Sequence, residues 1–489
     1  MELTELLNSI KVIQVTGEVQ RKDISGIFYD SRKVSKNSVF TAIKGFNLDG
    51  HKFILDAINK GAIAIILEEN DSVPDEIFTH LKIAKILVKN SRIALAEISN
   101  SFYKEPTKKI KLIGITGTNG KTTTSYFIKN ILETAGNKVG LIGTITNLIG
   151  NLELKSSLTT PESNDLNELF WDMINEGCNY AVMEVSSHSL VLERVHSLNF
   201  NAAVFSNITS DHLDFHNSFE KYLEAKKILF DNLPSASVGV YNSDDKNSVV
   251  LIKDSKASLY SYGTVSGSDF ILGNITYDLN GTSFSISHKG QIYELNTLLV
   301  GEFNAYNACA AFSIASLLGI DINSIIQGIK STKQVPGRFE VISKGAKKII
   351  IDYSHTADSL EKALRTAKAI TKNKHSIYTV FGCGGNRDKT KRPIMGMIAT
   401  DLSKKAFITS DNPRSEDPFS IIADIEKGIN KNNYEIIENR DEAIKAAIQY
   451  SEDDAVILIA GKGHESYQEI NGVKHHFSDK ETAEKYLGL

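Results

Sequence analysis

The segment KLIGITGTNGKTTTSYFIKNILETA, from Lys111 to Ala135, constrains the fold of this 489-residue chain more than any other. A short apolar run leads into a loop that contains Gly117, Gly120 and Lys121, and a helical pattern follows. Glycines let backbone N–H groups turn around phosphate oxygens, a helix N-terminus adds partial positive charge, and a lysine reaches the outer phosphates. The segment therefore predicts a phosphate-binding loop between a strand and a helix.

The spacing of this loop departs from the common form G-x-x-x-x-G-K-[ST], because Ile115 stands where the first glycine would be and Gly114 precedes it. Thr122 follows the lysine, where a hydroxyl is placed to ligate Mg²⁺. The NKxD signature by which many GTPases read guanine is absent from the sequence, so the predicted nucleotide is ATP. The loop residues predicted to bind it are Gly117, Thr118, Asn119, Gly120, Lys121, Thr122 and Thr123.

Short apolar runs alternate with helical patterns from this loop onwards, which predicts an α/β fold with mainly parallel, helix-covered sheets. The strands predicted in the first alternating region are Leu112–Ile115, Ala181–Val185, Ala202–Phe205 and Val238–Tyr241. Those predicted in the second are Ile349–Ile351, Tyr378–Phe381, Phe407–Thr409 and Val456–Ile459. A hairpin is predicted to turn at Lys289-Gly290, and a helix is predicted over Ser359–Thr371, where apolar residues share one face.

The length of the chain suggests roughly three domains. Two seams divide it, one near Pro106 within a cluster of lysines and one at Pro336-Gly337. The predicted domains are residues 1–108, a central nucleotide-binding domain at 109–335 with a P-loop ATPase-like parallel sheet, and a Rossmann-like domain at 336–489.

Composition excludes several classes of partner. The formal charge of −4 comes without any long basic run, so no nucleic acid is expected. The first residues, MELTELLNSIKVIQ, lack the basic flank and apolar stretch of a signal peptide, and no apolar run approaches the ~20 residues that span a bilayer. A cytoplasmic protein without membrane contact is therefore expected. Three widely separated cysteines form no CxxC pair, which argues against a disulfide framework or a zinc site.

Three further blocks carry polar residues suited to phosphate chemistry: MEVSSHSL with Glu184, SDHLDFH with His212, and EAKKILF with Lys226. Each is weak by itself, since Glu184 suits a solvated strand end, His212 a helix cap and Lys226 an ordinary surface. Together with the phosphate loop, the blocks closely resemble the Mur ligase family, ATP-dependent amide-forming enzymes of bacterial cell-wall synthesis.

The resemblance extends over nearly the whole chain. The segment Tyr29–Ile54 looks like the uridine-nucleotide domain of family members that add the third peptide residue. The other matching blocks, in order, are SLTTPES, GEFNAYNACAA, PGRFE, IDYSHTADSLEKAL, FGCGGNRDKTKRP, DNPRSEDP and GKGHE. The sequence departs from the family at Ala357, where Pro usually follows HT, and at Leu158 and Leu192, where some members have Asn and Gln.

This resemblance implies a ligase that extends UDP-N-acetylmuramoyl-L-Ala-D-Glu during peptidoglycan synthesis. A carboxylate must be activated before an amine condenses with it, here as an acyl phosphate made with ATP. By resemblance, Lys121 holds the outer phosphates, Thr122 and Glu184 position one Mg²⁺, and His212 positions a second. Lys226 matches the family lysine that CO₂ carbamylates, which turns a repulsive ammonium into an oxygen ligand for Mg²⁺.

The same matching implies the binding residues, and a monomer is expected. Asn304, Arg338 and Asp352 would hold adenosine and phosphates across the second seam, and Ser31 would contact the uridine part. The sugar-peptide would lie against Thr159, Thr160, Ser186 and Arg194. The incoming amino acid would contact Arg387, Asp411, Asn412, Pro413, Arg414, Gly461 and Glu465.

Arg414 in DNPR predicts which amino acid is added. A guanidinium pairs with the extra carboxylate of meso-diaminopimelate through two charge-assisted hydrogen bonds, whereas L-lysine brings no such anion. Diaminopimelate is therefore expected over L-lysine, although lanthionine satisfies the same argument. The alternative is that Arg414 only packs against Asp417 on a surface loop.

Three other functions conflict with particular residues of the sequence. FGCGGNRD resembles a dinucleotide loop, but Arg387 occupies the place of the last glycine of G-x-G-x-x-G. Folylpolyglutamate synthetase shares GTNGK and amide formation but has no use for a uridine-type N-terminal domain. A non-catalytic ATP-dependent switch would need neither His212 nor Lys226, because ATP binding alone requires no ligands for a second metal.

Overall fold

The computed structural model describes residues 1–45, 48–371 and 375–489 and contains three large sheets. The N-terminal sheet has five strands: β1 (Val12–Thr16), β2 (Ile27–Phe28), β3 (Ser38–Thr41), β4 (Ala62–Leu67) and β5 (Ala84–Val88). Their order is β1-β5-β4-β3-β2, and only β1 is antiparallel to its neighbour. The helices here are α1 (Leu3–Leu7), α2 (Ile54–Asn59), α3 (Asp75–Leu81) and α4 (Ser91–Phe102). Short 3-10 helices lie at Ser31–Lys33, Gly50–Phe53, Asn70–Ser72 and Pro106–Lys108.

The central sheet has eleven strands in the order β16-β15-β14-β13-β12-β11-β6-β10-β7-β8-β9. They are β6 (Lys111–Thr116), β7 (Val139–Ile142), β8 (Thr146–Ile149), β9 (Leu152–Lys155), β10 (Tyr180–Glu184), β11 (Phe200–Phe205), β12 (Val238–Asn242), β13 (Ser258–Gly263), β14 (Phe270–Asp278), β15 (Gly281–His288) and β16 (Gln291–Thr297). The strands from β14 through β6 to β7 are parallel, and antiparallel strands extend both edges.

Eight helices cover this sheet among the described residues. They are α5 (Lys121–Thr134), α6 (Ser163–Asn175), α7 (Ser187–Val191), α8 (Leu213–His216), α9 (Phe219–Asp231), α10 (Ser248–Ile252), α11 (Glu302–Leu317) and α12 (Ile322–Ser331). Strand β10 is buried along its whole length, as expected for a parallel strand with helices on both faces. The carboxyl ends of β6, β10 and β11 therefore lie side by side.

The C-terminal sheet is again mainly parallel, with the order β17-β18-β22-β19-β20-β21 and one antiparallel pair, β17 with β18. Its strands are β17 (Glu340–Lys344), β18 (Lys347–Asp352), β19 (Ile377–Phe381), β20 (Lys405–Ile408), β21 (Tyr434–Ile436) and β22 (Val456–Ala460), and β23 (Tyr467–Ile470) and β24 (Val473–His476) form a separate hairpin. The helices are α13 (Ala357–Ile370), α14 (Lys391–Leu402), α15 (Pro418–Glu426), α16 (Arg440–Tyr450) and α17 (Asp479–Leu487).

Two local predictions illustrate how sequence specifies this fold. The hairpin between β15 and β16 turns at Lys289 and Gly290, whose φ angles of 50° and 80° are those of a two-residue turn that matches strand twist. Helix α13 begins two residues before the predicted start, because the Thr356 hydroxyl accepts from Ser359 N and the Ser359 hydroxyl accepts from Thr356 N. This capping box starts the helix at Ala357 without the proline usual in the family.

The two predicted seams have constrained backbones. Lys104 and Glu105 have φ angles of 58° and 51° immediately before Pro106. At the second seam, a Cβ on Gly337 would lie 2.1 Å from His464 N, so only glycine fits there. The three sheets fall on either side of these points, while the domain limits of 1–108, 109–335 and 336–489 stay a prediction.

No helix in the described parts of the chain is long and apolar enough to cross a membrane. The three cysteines, Cys178, Cys309 and Cys383, are buried free thiols packed in the hydrophobic cores.

Candidate active site

The phosphate loop joins β6 to α5 in a conformation that requires its two glycines. Gly117 and Gly120 have φ angles of 146° and 89°. A Cβ on Gly117 would lie 2.0 Å from Ser206 Oγ, and one on Gly120 would lie 2.3 Å from Asn307 Oδ1. Gly114 has a different task, since a Cβ there would meet the Phe200 ring at 2.6 Å. Gly114 thus makes room for a side chain of the neighbouring strand β11, and the two loop glycines form the cradle.

Asn207, which follows β11, holds the loop in place. Its carbonyl accepts from Thr118 N at 2.7 Å, its Oδ1 accepts from Asn119 N at 3.1 Å, and its Nδ2 donates to Asn119 O at 3.0 Å. The Lys121 ammonium donates to Gly117 O and to Thr118 O, each at 2.8 Å. The lysine therefore lies over the loop, at the positive end of α5.

A carboxylate and two hydroxyls meet beside the loop. Glu184, which ends β10 and is 1 % exposed, accepts through Oε2 from Thr122 Oγ1 and from Thr144 Oγ1, both at 3.0 Å. Its Oε1 accepts from Thr144 N at 2.9 Å. A Cβ on Gly143 would lie 2.5 Å from that oxygen. A carboxylate next to a threonine hydroxyl is the oxygen donor set that suits Mg²⁺, so these residues fit such an ion.

Arg338, from the second seam, reaches the same point. Its Nη2 donates to Thr122 Oγ1 at 3.2 Å, and its guanidinium lies 4.5 Å from the centre of the Tyr353 ring. Asp352 accepts from Phe339 N at 2.7 Å and from the Ser354 hydroxyl, and burial raises the pKa of its carboxyl. The C-terminal part of the chain thus contributes a cation directly at the phosphate loop.

Lys226, on α9, is a buried lysine without a nearby anion. It is 1 % exposed, and its ammonium donates to Gly117 O at 2.7 Å and lies 4.5 Å from the Tyr222 ring centre. Among the described residues, Lys226 forms no ion pair within 4.0 Å, and Asp211 only partly offsets the effects of burial and of Lys121 on its pKa. Burial, together with the charge of Lys121, lowers the pKa of Lys226 well below its ordinary value. This environment favours a neutral amine.

His212 lies on the same side of the cavity, in a left-handed conformation with a φ angle of 54°. Burial lowers the pKa of its imidazole to about 3, despite the nearby Asp211 carboxylate at 3.4 Å. A neutral imidazole is the form that ligates metals. His212 occupies the N-cap position of α8, as the alternative had it, but its side chain makes no capping hydrogen bond there.

One cavity of about 790 Å³ collects most of the predicted nucleotide and metal residues. The predicted residues that line it are Thr118, Asn119, Gly120, Lys121, Thr122, Thr123, Thr159, Glu184, Ser186, His212, Lys226, Arg338 and Asp352. Gly117 belongs to the loop but does not line the cavity. Asn304 does not line the cavity itself. Its Oδ1 accepts from Nδ2 of Asn307 at 3.1 Å, and Asn307 lines the cavity.

Two residues predicted to bind the sugar-peptide, Thr160 and Arg194, hold the backbone next to the cavity. Thr160 Oγ1 donates to Glu184 O at 2.8 Å, and Arg194 Nη1 donates to Thr160 O at 3.1 Å. Ser31 lies apart from the cavity in the N-terminal region, where its carbonyl accepts from Lys60 Nζ at 3.0 Å. Of the two departures from the family on this side, Leu158 is exposed and Leu192 is half-buried just after α7.

The residues predicted to bind the amino acid form a second cluster in the C-terminal region. Arg414, with a φ angle of 53°, donates through Nη1 to Gly385 O at 2.7 Å, and its Nε lies 3.6 Å from Glu469 Oε2. Its expected alternative partner, Asp417, instead caps α15 by accepting from Ser420 N at 2.9 Å. Arg414 is therefore held by a carbonyl and by the β23 strand.

The other members of this cluster surround Asn412. Its Nδ2 donates to Glu465 Oε2 at 2.8 Å, and its backbone N donates to Asp411 Oδ1 at 2.6 Å. A Cβ on Gly461 would lie 2.5 Å from Asp411 Oδ2, so this glycine allows the close approach. Pro413 joins Asn412 to Arg414, while Arg387 is exposed and bonds only weakly, to Asn386 O at 3.4 Å.

Sequence reasoning missed Thr144, Asn207 and Lys462, which hold predicted residues in place. Thr144 comes shortly after β7, at the sheet edge where Glu184 ends the neighbouring strand, and that position was the available signal. His464 lies between the two clusters, near the backbone of Thr144, and burial lowers the pKa of its imidazole to about 3.

A glycine loop between a central parallel strand and a helix, with a carboxylate at the end of the next strand, defines a P-loop nucleotide-binding protein. Three family models match the chain. They are "Mur ligase family, catalytic domain" at residues 23–103, "Mur ligase middle domain" at 115–315, and "Mur ligase, glutamate ligase domain" at 337–463.

The relatives cover the chain nearly end to end. The UDP-N-acetylmuramoyl-L-alanyl-D-glutamate--2,6-diaminopimelate ligase of Clostridium tetani is 44% identical, covering 100% of this chain and 99% of that protein. An enzyme of the same name, numbered 1, from Clostridium acetobutylicum is 42% identical over 100% of this chain and 99% of that protein. A solved structure of a ligase of this name has a TM-score of 0.70 at 31% identity, covering 100% and 99% of the two chains. The chain belongs to the Mur ligase family, which confirms the predicted family, fold class and ligase activity.

Proposed function

We propose that this chain is an ATP-dependent ligase that adds meso-2,6-diaminopimelate to the D-Glu of UDP-N-acetylmuramoyl-L-Ala-D-Glu in peptidoglycan synthesis. The observation that carries the proposal is the meeting of Lys121, Thr122, Glu184, Lys226 and Arg338 around one cavity, in a chain that aligns end to end with ligases of that name. The two clusters then correspond to the two half-reactions, carboxylate activation and amine attack.

Activation of the carboxylate is a transfer between two anions. The D-Glu γ-carboxylate attacks the γ-phosphorus of ATP, an acyl phosphate forms and ADP leaves, so the main requirement is neutralisation of charge. The loop amides and Lys121 hold the phosphates, and Arg338 reaches the same point across the seam. Mg²⁺, when bound by Thr122 and Glu184, would neutralise phosphate charge.

We propose that Lys226 is carbamylated. A neutral amine attacks CO₂ and loses a proton, which leaves N–H and a carbamate anion. The lowered pKa supplies the neutral amine, and the remaining N–H still donates to Gly117 O. The product places an oxygen anion near His212, so these two side chains would hold the second Mg²⁺.

Amide formation needs the amino group next to the acyl phosphate. The amine attacks the acyl carbon, a tetrahedral intermediate forms, the nitrogen loses a proton to solvent, and phosphate leaves with the electron pair of the broken C–O bond. The cluster around Asn412 would hold the diamino acid. Gly461 and Glu465 belong to that cluster, and His464, which lies between them in the sequence, is near Thr144. This stretch of the chain links the amino-acid cluster to the phosphate cavity.

Diaminopimelate is proposed over L-lysine because of Arg414. Its Nη1 and Nε are held by Gly385 O and Glu469, which leaves the far edge of the guanidinium for a ligand carboxylate. L-lysine would bring no carboxylate to that edge of the guanidinium. Lanthionine has the same pair of carboxylates and stays an alternative by this argument. The N-terminal family match at 23–103 argues against a folylpolyglutamate synthetase-like ligase.

The test is phosphate release by the purified chain with UDP-N-acetylmuramoyl-L-Ala-D-Glu, ATP and Mg²⁺. We expect release to depend on meso-diaminopimelate and to be at least about tenfold weaker with L-lysine. Equal rates with L-lysine would contradict the amino-acid assignment, and release independent of any amino acid would favour the ATP-dependent switch. The cytoplasmic location, the monomeric state and the domain limits stay predictions from the sequence.

A further inference from the structure

Lys462 is a fully buried lysine of the C-terminal region, and its surroundings differ from those of a packing residue. Its side chain is 0 % exposed. Its Nζ lies 3.1 Å from Asn412 Oδ1, 3.2 Å from Glu465 Oε2 and 5.5 Å from the Tyr467 ring centre. An apolar side chain of similar length would fill the space without the cost of burying a charge. The charge must therefore serve the groups that it contacts.

The first of these groups is the Asn412 amide, which has a single orientation consistent with its neighbours. Its Oδ1 faces two donors, Lys462 Nζ at 3.1 Å and Glu469 N at 2.9 Å. Because both donors require an oxygen there, the amide nitrogen must point the other way, where it donates to Glu465 Oε2 at 2.8 Å.

The second group is the Glu465 carboxylate. Its Oε2 accepts from both Lys462 and Asn412, which fixes the rotamer of a side chain that is 15 % exposed. Among the described residues, its Oε1 accepts no hydrogen bond. One carboxylate oxygen is thus anchored while the other is left for a ligand.

From this arrangement, and resting on the proposed function, we propose that Lys462 is a positioning residue for the incoming diamino acid. It anchors Glu465 through Oε2, directly and through Asn412, so that Oε1 accepts an ammonium group of the substrate. Lys462 itself does not touch the substrate. A pre-anchored carboxylate binds an ammonium without first losing rotamer freedom, so Lys462 acts on amino-acid affinity and not on phosphoryl transfer.

The primary test is steady-state kinetics of the full chain with Lys462→Met. We expect KM for meso-diaminopimelate to rise about tenfold or more, with kcat and the KM values for ATP and the UDP-dipeptide changed less than about threefold. The matched control is Lys85→Met. Lys85 is 2 % exposed and pairs with Asp75 at 2.6 Å on β5, so it reports the general effect of removing a buried, paired lysine. That variant is expected to leave KM for the amino acid unchanged.

A double-mutant cycle with Glu465→Gln separates positioning from a merely structural role. If Lys462 acts through Glu465, the added Lys462→Met should raise KM for the amino acid by less than about threefold in the Glu465→Gln background. Should Lys462→Met fold poorly, this comparison of Glu465→Gln with the double variant decides alone, since the double variant removes both charges together. A further tenfold rise in the double variant would overturn the inference.

The outcomes also separate this inference from the proposed function. A wild-type chain that releases no phosphate with any diamino acid would overturn both. An active wild-type chain whose KM for diaminopimelate is the same in Lys462→Met, or a variant in which all three KM values rise together, would overturn the role of Lys462 and leave the proposed function intact.

Discussion

Buried basic side chains of the central and the C-terminal regions differ in whether a carboxylate lies beside them. In the central region, Lys226 is 1 % exposed and its one hydrogen-bond acceptor among the described residues is the Gly117 carbonyl. In the C-terminal region, Lys462, Arg392 and Arg440 have side chains that are 0 % exposed, and each contacts at least one carboxylate within 3.2 Å. All four are basic side chains, and within the described part of the chain only the three in the C-terminal region have a neighbouring carboxylate.

This difference indicates what each buried cation does. A buried charge without a counter-ion costs several kcal/mol, which a lysine avoids by losing its proton. A paired cation stays charged and fixes the groups around it. The unpaired Lys226 is thus suited to react as an amine, whereas the paired cations organise the C-terminal region and its amino-acid cluster.

The largest effect is expected when the amine of Lys226 is removed. We expect Lys226→Ala to lower kcat by about 10³-fold or more, because an oxygen ligand for the second metal is lost. Bicarbonate or a short-chain carboxylic acid should restore part of the rate by supplying an oxygen anion. Phosphate release is the measurement.

The control for this variant is Lys227→Ala. Lys227 is the next residue on α9 but pairs with Asp231 at 2.5 Å and Asp254 at 2.6 Å, so it has the anions that Lys226 lacks. We expect Lys227→Ala to retain activity and to keep the one carbamate signal that the wild-type chain should show with ¹³CO₂, whereas Lys226→Ala should lose that signal. Full activity of Lys226→Ala would rule out the metal role.

The second prediction removes an anion from a paired cation. Arg440 and Asp479 form a two-point ion pair at 2.7 and 2.8 Å between α16 and α17. Asp479→Asn should destabilise the C-terminal region by about 3–5 kcal/mol, because it leaves the guanidinium buried without its anion. Thermal unfolding followed by circular dichroism measures this. Lys404→Ala, which breaks the exposed pair with Glu452, should leave the melting temperature nearly unchanged.

The third prediction concerns Arg414, a cation that is only partly satisfied within the chain. Arg414→Ala should reduce the preference for meso-diaminopimelate over L-lysine by about a hundredfold in kcat/KM, since two charge-assisted hydrogen bonds to the extra carboxylate are lost. Competition kinetics with both amino acids measure the ratio. Arg21→Ala, at an exposed arginine of the N-terminal region, should keep it. A preserved preference in Arg414→Ala would show that the extra carboxylate binds elsewhere.

The sequence predicted well those parts of the site whose residues are close together in the chain. Gly117 to Thr123 form one continuous segment, the loop and the first residues of α5, so its glycines, lysine and hydroxyls can all be recognised in a short stretch of sequence. The predicted strands are observed within one or two residues, because buried parallel strands are continuous apolar runs. Glu184, His212 and Lys226 came from a family resemblance, and the structure brings them to one cavity.

What escaped prediction depends on contacts between distant segments. Thr144 reaches Glu184 across 40 positions of sequence, and Lys462 reaches Asn412 across 50. The partner of Arg414 was sought at Asp417, three residues away, but the structure supplies Glu469 from the hairpin of β23 and β24. Nearby charge is a weak guide when a helix cap has a better use for it, as α15 has for Asp417.

The smallest effect is expected at the ion pair of Glu416 with the fully buried Arg392, where stability should depend on pH. Hydrogen bonds from Arg392 lower the pKa of the Glu416 carboxyl to about 2, from an ordinary value of 4.5. A carboxyl with a lowered folded-state pKa adds stability that is complete above pH 4.5 and disappears as the pH falls towards 2. Because Glu416 is partly solvated, we expect this contribution to be about 1 kcal/mol.

Glu416→Gln isolates this term, because glutamine keeps the shape and removes the titrating proton. The difference in melting temperature between the wild-type chain and this variant should be largest at pH 6 and should shrink steadily below pH 4.5. The sign follows from the unfolded chain, which binds a proton at Glu416 in that window while the folded chain does not. The absence of a difference at any pH would mean that shape and not charge links Glu416 to Arg392. In that case the C-terminal cations would not depend on their anions, and the contrast with Lys226 would lose its basis.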